Sequence, residues 1–195
     1  MIRADLHIHT TFSSDSTIQP KTLVEHLVNH SSIKVAAVTD HDSIQGCSLT
    51  QKLASAYPDI LIIPGVEIST HQGDILILGT TDLPPQPWTM ENVVDFARDN
   101  NCVSVAAHPY REYGLGDLAR GSRVNAIEVL NGGSPSSANQ QAQVLARSMN
   151  LPGVAGSDAH SPQELYSVYT QIDSNLNADN ILNAIKKGHV KVSSC

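Results

Sequence analysis

Residues 4–15 read Ala4-Asp5-Leu6-His7-Ile8-His9-Thr10-Thr11-Phe12-Ser13-Ser14-Asp15, and the first half of that run decides how the rest is read. As a strand it repeats every two residues, so His7 and His9 share a face with Asp5 while Leu6 and Ile8 point away. Two imidazoles then converge on one point. Asp15, beyond a small polar turn, can fold a carboxylate back over it. Two histidines and a carboxylate are the beginning of a transition-metal site, and the remainder has to come from elsewhere in the chain.

Outward from this run, apolar stretches of strand length alternate with helical segments. Residues 2–9 form the first strand, and Leu23, Val24, Leu27 and Val28 recur at helical spacing within 20–30. A β-rich run at 34–39 ends on Asp40-His41-Asp42, and 43–57 reads as a helix with Asp42 or Ser43 as its N-cap, closed by Pro58. The strongest strand signal, 59–68, carries Glu67. The turn Gln72-Gly73-Asp74 and the run 75–78 after it suggest an antiparallel hairpin. Segments 89–100, 136–149 and 179–187 are helical in pattern, whereas 102–107, 125–130, 152–156, 166–172 and 190–192 read as strands. Such alternation predicts an α/β fold on a mainly parallel sheet, because parallel neighbours need helical crossovers. Whether the sheet is doubly wound or a barrel, sites gather at the carboxyl ends of its strands. With no repeat, linker or low-complexity stretch, residues 1–195 are expected to form a single domain.

Composition narrows the function. The chain has 195 residues, 41% hydrophobic and 16% charged, and its longest apolar runs fall short of a membrane helix. It opens directly into the first strand without a secretory signal, which predicts a soluble, cytoplasmic protein. A net charge of −7, from 12 basic and 19 acidic residues, argues against a surface that embraces long nucleic acid. A local site for an anionic substrate remains compatible with it. Cys47, Cys102 and Cys195 are scattered, which fits neither a disulfide framework nor a thiolate zinc site.

The predicted strands end on His7-x-His9, Asp40-His41-Asp42, Glu67, His108, Asn131 and Asp158-x-His160. One ring of strand ends therefore carries more donors than one zinc ion needs, and no cysteine is among them. Five histidines (His7, His9, His41, His108, His160) and three carboxylates (Asp15, Glu67, Asp158) suit two or three ions such as Zn, Mn or Fe. Glu67 is the natural bridge, one oxygen for each of two ions. Clustered ions without thiolates point to phosphate-ester hydrolysis, since they bind phosphoryl oxygens and activate a water.

In order and spacing, Asp5-Leu-His7-Ile-His9-Thr, Thr39-Asp40-His41-Asp42, Gly65-Val-Glu67, His108-Pro109 and Gly156-Ser-Asp158-Ala-His160 resemble the successive motifs of the polymerase-and-histidinol-phosphatase (PHP) superfamily, over residues 2–162. The resemblance implies a distorted (β/α)7 barrel with a two- or three-metal centre. It assigns His7, His9, Glu67 and Asp158 to a first metal, Glu67 and His108 to a second, and Asp15, His41 and His160 to a third. Several three-metal relatives have a further histidine between the last two motifs. This chain has none between His108 and His160, so Asn131 or a water would complete the second site.

Arg111, three residues past His108, is the candidate for gripping phosphate oxygens bidentately, and His71 near the mouth is a candidate substrate contact. The expected reaction is attack of a metal-bridging hydroxide on phosphorus, in line with the leaving alkoxide. Proton handling falls to His160, His41 and Asp40: either histidine, or a metal-bound water, would protonate the alkoxide, and Asp40 or Asp42 would orient His41 or cap the next helix. Asp5 is expected to support the ligands from behind. Only 41 positions separate Glu67 from His108, too few for an inserted covering domain, so the site should be open and its substrate choice loose.

The sequence thus predicts a PHP-type phosphoesterase acting on a small phosphate monoester or nucleotide, with no membrane or long nucleic-acid partner. Three alternatives stand beside it: a phosphodiesterase or nuclease trimming short oligonucleotides, a metal-dependent hydrolase of a non-phosphate substrate, and a non-catalytic metal-binding scaffold.

Overall fold

Half-buried apolar faces at helical spacing and continuous apolar strands can be covered only by wrapping the helices around the sheet. The computed structural model, which describes residues 1–195, does this with nine strands and five α-helices. The strands are β1 (Ile2–Ile8), β2 (Val35–Val38), β3 (Leu61–Ser69), β4 (Asp74–Leu78), β5 (Val103–Ala106), β6 (Ala126–Asn131), β7 (Gly153–Gly156), β8 (Val168–Ile172) and β9 (Val190–Ser194). The helices are α1 (Pro20–Asn29), α2 (Gln45–Ala54), α3 (Met90–Asp99), α4 (Ser136–Met149) and α5 (Ala178–Lys186). Local signals fix their ends. Pro20 opens α1, the Thr89 hydroxyl accepts from the Asn92 N–H to cap α3, and α4 stops at Asn150 in the left-handed conformation.

All nine strands join one sheet in the order β7-β6-β5-β4-β3-β2-β1-β8-β9. The sheet curls until its β7 end closes on β1: the Asp158 N–H donates to the His7 carbonyl at 2.8 Å and the His9 N–H to the Ala159 carbonyl at 3.0 Å. The result is a nearly closed barrel. One apolar cluster lies under α1 and α2, another under α3 and α4. A third fills the barrel interior, where α5 adds Ile181, Leu182 and Ile185. Buried side chains such as Leu23 and Leu27 each contribute about 1.5–3 kcal/mol. Between Glu67 and His108 the chain builds only β4, α3, β5 and their connections. No helix is long and apolar enough to cross a membrane.

Two expectations need correction. The sheet is not mainly parallel: β1–β2, β2–β3, β5–β6 and β6–β7 pair parallel, whereas β3–β4, β4–β5, β1–β8 and β8–β9 pair antiparallel. The tight turn through Gly73, at φ 146°, sends β4 straight back along β3 and removes the need for a crossover there. Nor does Asp5 share a face with His7 and His9. Asp5 pairs with Ala36 and Ile8 with Val38, so β1 carries an extra residue, a bulge. Leu6 consequently turns into the barrel interior while Ile8 packs under α1 and α2. The Asp5 carboxylate accepts from the Ser157 N–H at 2.8 Å and the Tyr166 N–H at 3.2 Å. It thus ties β1 to the segment before Asp158, and burial pushes its pKa up to about 6.

Candidate metal centre

The parallel strands all end at one mouth of the barrel, and their final residues bring the donors together there. His7, His9 and Glu67 are fully buried, and Asp158 nearly so. His7 Nε2 lies 3.0 Å from His9 Nε2, 3.1 Å from Glu67 Oε2 and 3.4 Å from Asp158 Oδ1. His9 Nε2 lies 3.1 Å and 3.2 Å from the same two oxygens. A tetrahedral ion with bonds of about 2.0–2.1 Å requires ligand atoms about 3.3–3.4 Å apart. Each imidazole therefore meets both carboxylates at close to the spacing that a zinc-sized ion requires. The two histidines also present the right tautomers, because each ring has a partner for its other nitrogen. His7 Nδ1 faces Glu128 Oε1 at 3.0 Å, and His9 Nδ1 faces the Ser13 hydroxyl at 3.2 Å. Both Nε2 lone pairs are thereby directed inward.

Around this quartet lie the other predicted donors. His108 Nε2 is 3.1 Å from Glu67 Oε1, so the two oxygens of Glu67 face different groups, as a bridge requires. Asp15 Oδ2 is 3.2 Å from His160 Nε2 and 3.5 Å from His41 Nε2. The His160 ring stacks on His9 with centroids 4.3 Å apart, and its Nδ1 is 2.8 Å from the Asp158 carbonyl, which it meets as a donor. Left-handed backbone at His108 (φ 25°) and Asp158 (φ 55°) aims two of the ligands, a conformation costly for such residues and held here by the surrounding bonds.

Asp40 does not reach the cleft. Fully buried, it accepts from the Thr10 N–H at 2.5 Å, the Thr10 hydroxyl at 2.7 Å and the Ser13 hydroxyl at 3.1 Å. Its influence passes through Ser13 to His9, which makes it an orienting group. Asn131 is also committed. Its Nδ2 donates to Glu128 Oε2 at 3.0 Å and Asp158 Oδ2 at 3.2 Å, and its Oδ1 accepts from Ser134 at 2.9 Å and Arg111 at 3.3 Å.

Two functional carboxylates escaped the sequence reading. Glu128 supports His7 and accepts the His108 N–H at 2.8 Å. A bulge on β6, where Glu128 pairs with Val154 and Leu130 with Ala155, lets Glu128 and Asn131 reach each other from the same side. A lone carboxylate inside Ala126-Ile-Glu-Val-Leu was the available signal, the same one that exposed Glu67. Asp74 lies 4.0 Å from His108 Nε2. It read as a turn residue because the strand-end rule follows carboxyl ends, and β4, being antiparallel, brings its amino end to the site.

Above these groups opens a cleft of about 530 Å3. Arg111 and His71 both line it, with Asp15, His41, Glu112 and Tyr113. Arg120 and Arg123 are engaged on the surface by Asp117 and Asp95.

The electrostatics are those of a ligand set without its cation. Burial alone would lower the His7 pKa, but Asp158, Glu67 and Glu128 outweigh it and raise it well above the ordinary range. Burial likewise opposes protonation of His9, yet its bonds to Asp158 and Glu67 push it up to about 9. Glu67 and Asp158 are held well below the carboxylate range: burial would raise both, and His7 and the neighbouring imidazoles prevail. Protonated His9 therefore stabilises the metal-free fold, fully below its ordinary pKa of 6.5 and progressively less as pH rises through about 9. Metal must displace those protons. Titrating Zn(II) into metal-free protein by calorimetry in buffers of different ionisation enthalpy should show release of about one to two protons per ion near neutral pH. Affinity should rise with pH and level off above about 9. A pH-independent affinity would contradict the ligand assignment.

A family model described as PHP-associated matches residues 136–190. Two uncharacterised proteins of Methanocaldococcus jannaschii are similar in sequence. One is 29% identical over 142 residues, spanning 67% of this chain and 82% of that protein; the other is 28% identical over 188 residues, spanning 91% and 73%. In structure the chain is similar to a Bifidobacterium adolescentis protein provisionally named a metal-dependent phosphoesterase, with a TM-score of 0.69 and 16% identity over 96% of each chain. It is also similar to an amidohydrolase from Chromobacterium violaceum solved with sulfate and no metal, with a TM-score of 0.70 and 16% identity over 96% of this chain and 97% of that one. PsfC from Pseudomonas syringae gives 0.74 at 19% identity, over 100% and 93%. At such identities the structural likeness speaks for the fold. The PHP-associated match over residues 136–190, a fold shared along whole chains, and the ordered histidine and carboxylate motifs gathered at one barrel mouth all support a relationship to the PHP-domain superfamily.

Proposed function

We propose that the protein is a metal-dependent hydrolase of small phosphate monoesters, nucleotides among them. The observation that carries the reading is the thiolate-free convergence of imidazoles and carboxylates on the floor of an open polar cleft with an arginine in its wall. Ions held by these side chains would supply an activated water and neutralise charge on phosphoryl oxygens. The chain's own groups do the rest. His7, His9, Glu67 and Asp158 fix one charge centre, and Glu67 passes its second oxygen toward His108. Arg111 offers its guanidinium to the ester. Because His160 Nδ1 donates to the Asp158 carbonyl, the neutral His160 ring keeps a lone pair at Nε2 and is poorly placed to give a proton to a leaving group. His41, which also lines the cleft with its Nε2 3.5 Å from Asp15, is the other candidate.

Size and charge favour small substrates. Tyr113 is the one residue with an apolar body in the cleft lining, and Arg111 its one arginine or lysine. A polynucleotide would need more positive charge along its path. The test is a phosphate-release screen with Mn, Zn and Fe, using an aryl phosphate, nucleoside monophosphates and an aryl diester, with an aryl amide as a separate arm. Monoester turnover above diester turnover is expected, without strong preference for one nucleotide. Amide cleavage in place of phosphate release would move the protein to the other chemistry, and no turnover with any ion would leave it a binding module.

A further inference from the structure

We infer that Asp74 completes the second metal site and makes the centre a mixed one, a harder oxygen-seeking ion such as Mn(II) beside a zinc-type ion at the His7–His9 pair. The inference rests on the metal-centre reading of the site but not on the identity of the ester.

Asp74 stands opposite Ser69 in the β3–β4 ladder, on the same face as Glu67 two residues away. Its side chain is 7% exposed, and its Oδ2 lies 4.0 Å from His108 Nε2. Glu67, Asp74 and His108 each offer a donor atom within 4.8 Å of the others. No lysine or arginine lies within 4.0 Å of this carboxylate, and no backbone N–H donates to it; a serine hydroxyl, that of Ser69, stands beside it. A buried anion next to a second buried anion is costly unless a cation lies between them. Nor can Asn131 readily take the position, since its carboxamide is fully occupied by Glu128, Asp158, Ser134 and Arg111.

The two donor sets differ in kind. The first combines two imidazoles 3.0 Å apart with two carboxylates, each 3.1–3.4 Å from both imidazole nitrogens. The second has two carboxylates and one imidazole, with His108 Nε2 3.1 Å from Glu67 and 4.0 Å from Asp74. More oxygen and a wider spread favour Mn(II) or Mg(II) over Zn(II), which prefers nitrogen and a tight tetrahedron.

The experiment is metal competition read by elemental analysis and by Mn(II) electron paramagnetic resonance. Protein stripped with a chelator is reloaded with Mn(II) and Zn(II) together and desalted. Wild type should retain both ions. Asp74→Asn, nearly isosteric, should lose Mn at least about tenfold while keeping Zn, and Asp74→His should exchange Mn for a second Zn. Wild-type Mn and Zn in Asp74→Asn would overturn the inference, as would Mn loss in Asn131→Ala exceeding that in Asp74→Asn. Because the readout is bound metal, failure to hydrolyse any ester leaves the test intact, so the two readings fail separately.

Discussion

His9→Ala should lose the first-site ion and, with it, at least about a thousandfold in phosphate release. The residue has no redundancy. Its Nε2 lies 3.0–3.2 Å from His7, Glu67 and Asp158, and its Nδ1 is the end of a chain through Ser13 to the buried Asp40. Alanine removes a ligand and leaves Ser13 without its ring partner. Asp158→Ala should match it, since Asp158 Oδ1 faces both imidazoles. Elemental analysis after desalting and turnover of an aryl phosphate give the two readouts, and circular dichroism separates a lost ion from a lost fold. A variant that keeps wild-type metal and turnover would remove His9 from the centre.

These two residues were legible in the sequence because their signals are local. His7-x-His9 and Asp158-x-His160 place donors two apart at the end of a strand, and Glu67 is a charge inside an apolar run. The α/β class was legible for a similar reason, since alternating strands and helices leave few ways to bury both faces of a sheet, but the choice of a barrel over a doubly wound sheet came from the resemblance of the motifs and not from that alternation. What escaped depends on register and direction, which spacing along the chain does not encode. The β1 bulge turned Asp5 away from the histidines it was expected to join. The β6 bulge brought Glu128 beside Asn131. The antiparallel β4 delivered Asp74 by its amino end, where a rule about carboxyl ends does not look. Hairpin residues Gln72-Gly73-Asp74 did suggest that reversal, but the ladder pairing was needed to show that Asp74 falls two residues from Glu67 on one face.

Arg111 poses the opposite case, a residue whose loss should damage turnover and spare the metal. One of its terminal nitrogens is 2.6 Å from Asp158 Oδ2 and 3.3 Å from Asn131 Oδ1, and the side chain is 31% exposed at the cleft wall. The remaining guanidinium nitrogens make no hydrogen bond to the protein and are free for a substrate oxyanion. In Arg111→Ala, Asp158 Oδ2 still accepts from Asn131 Nδ2 at 3.2 Å, so the ligand oxygen on the other side keeps its aim. Metal content should therefore hold at the wild-type level while kcat/KM for a phosphate monoester falls about a hundredfold. Arg111→Lys should recover only part of that loss, because a point charge cannot reproduce the paired donors of a guanidinium. Metal loss in Arg111→Ala would show instead that the arginine holds Asp158 in place, and full activity in Arg111→Lys would mean that charge alone, without the fork, is what the ester meets.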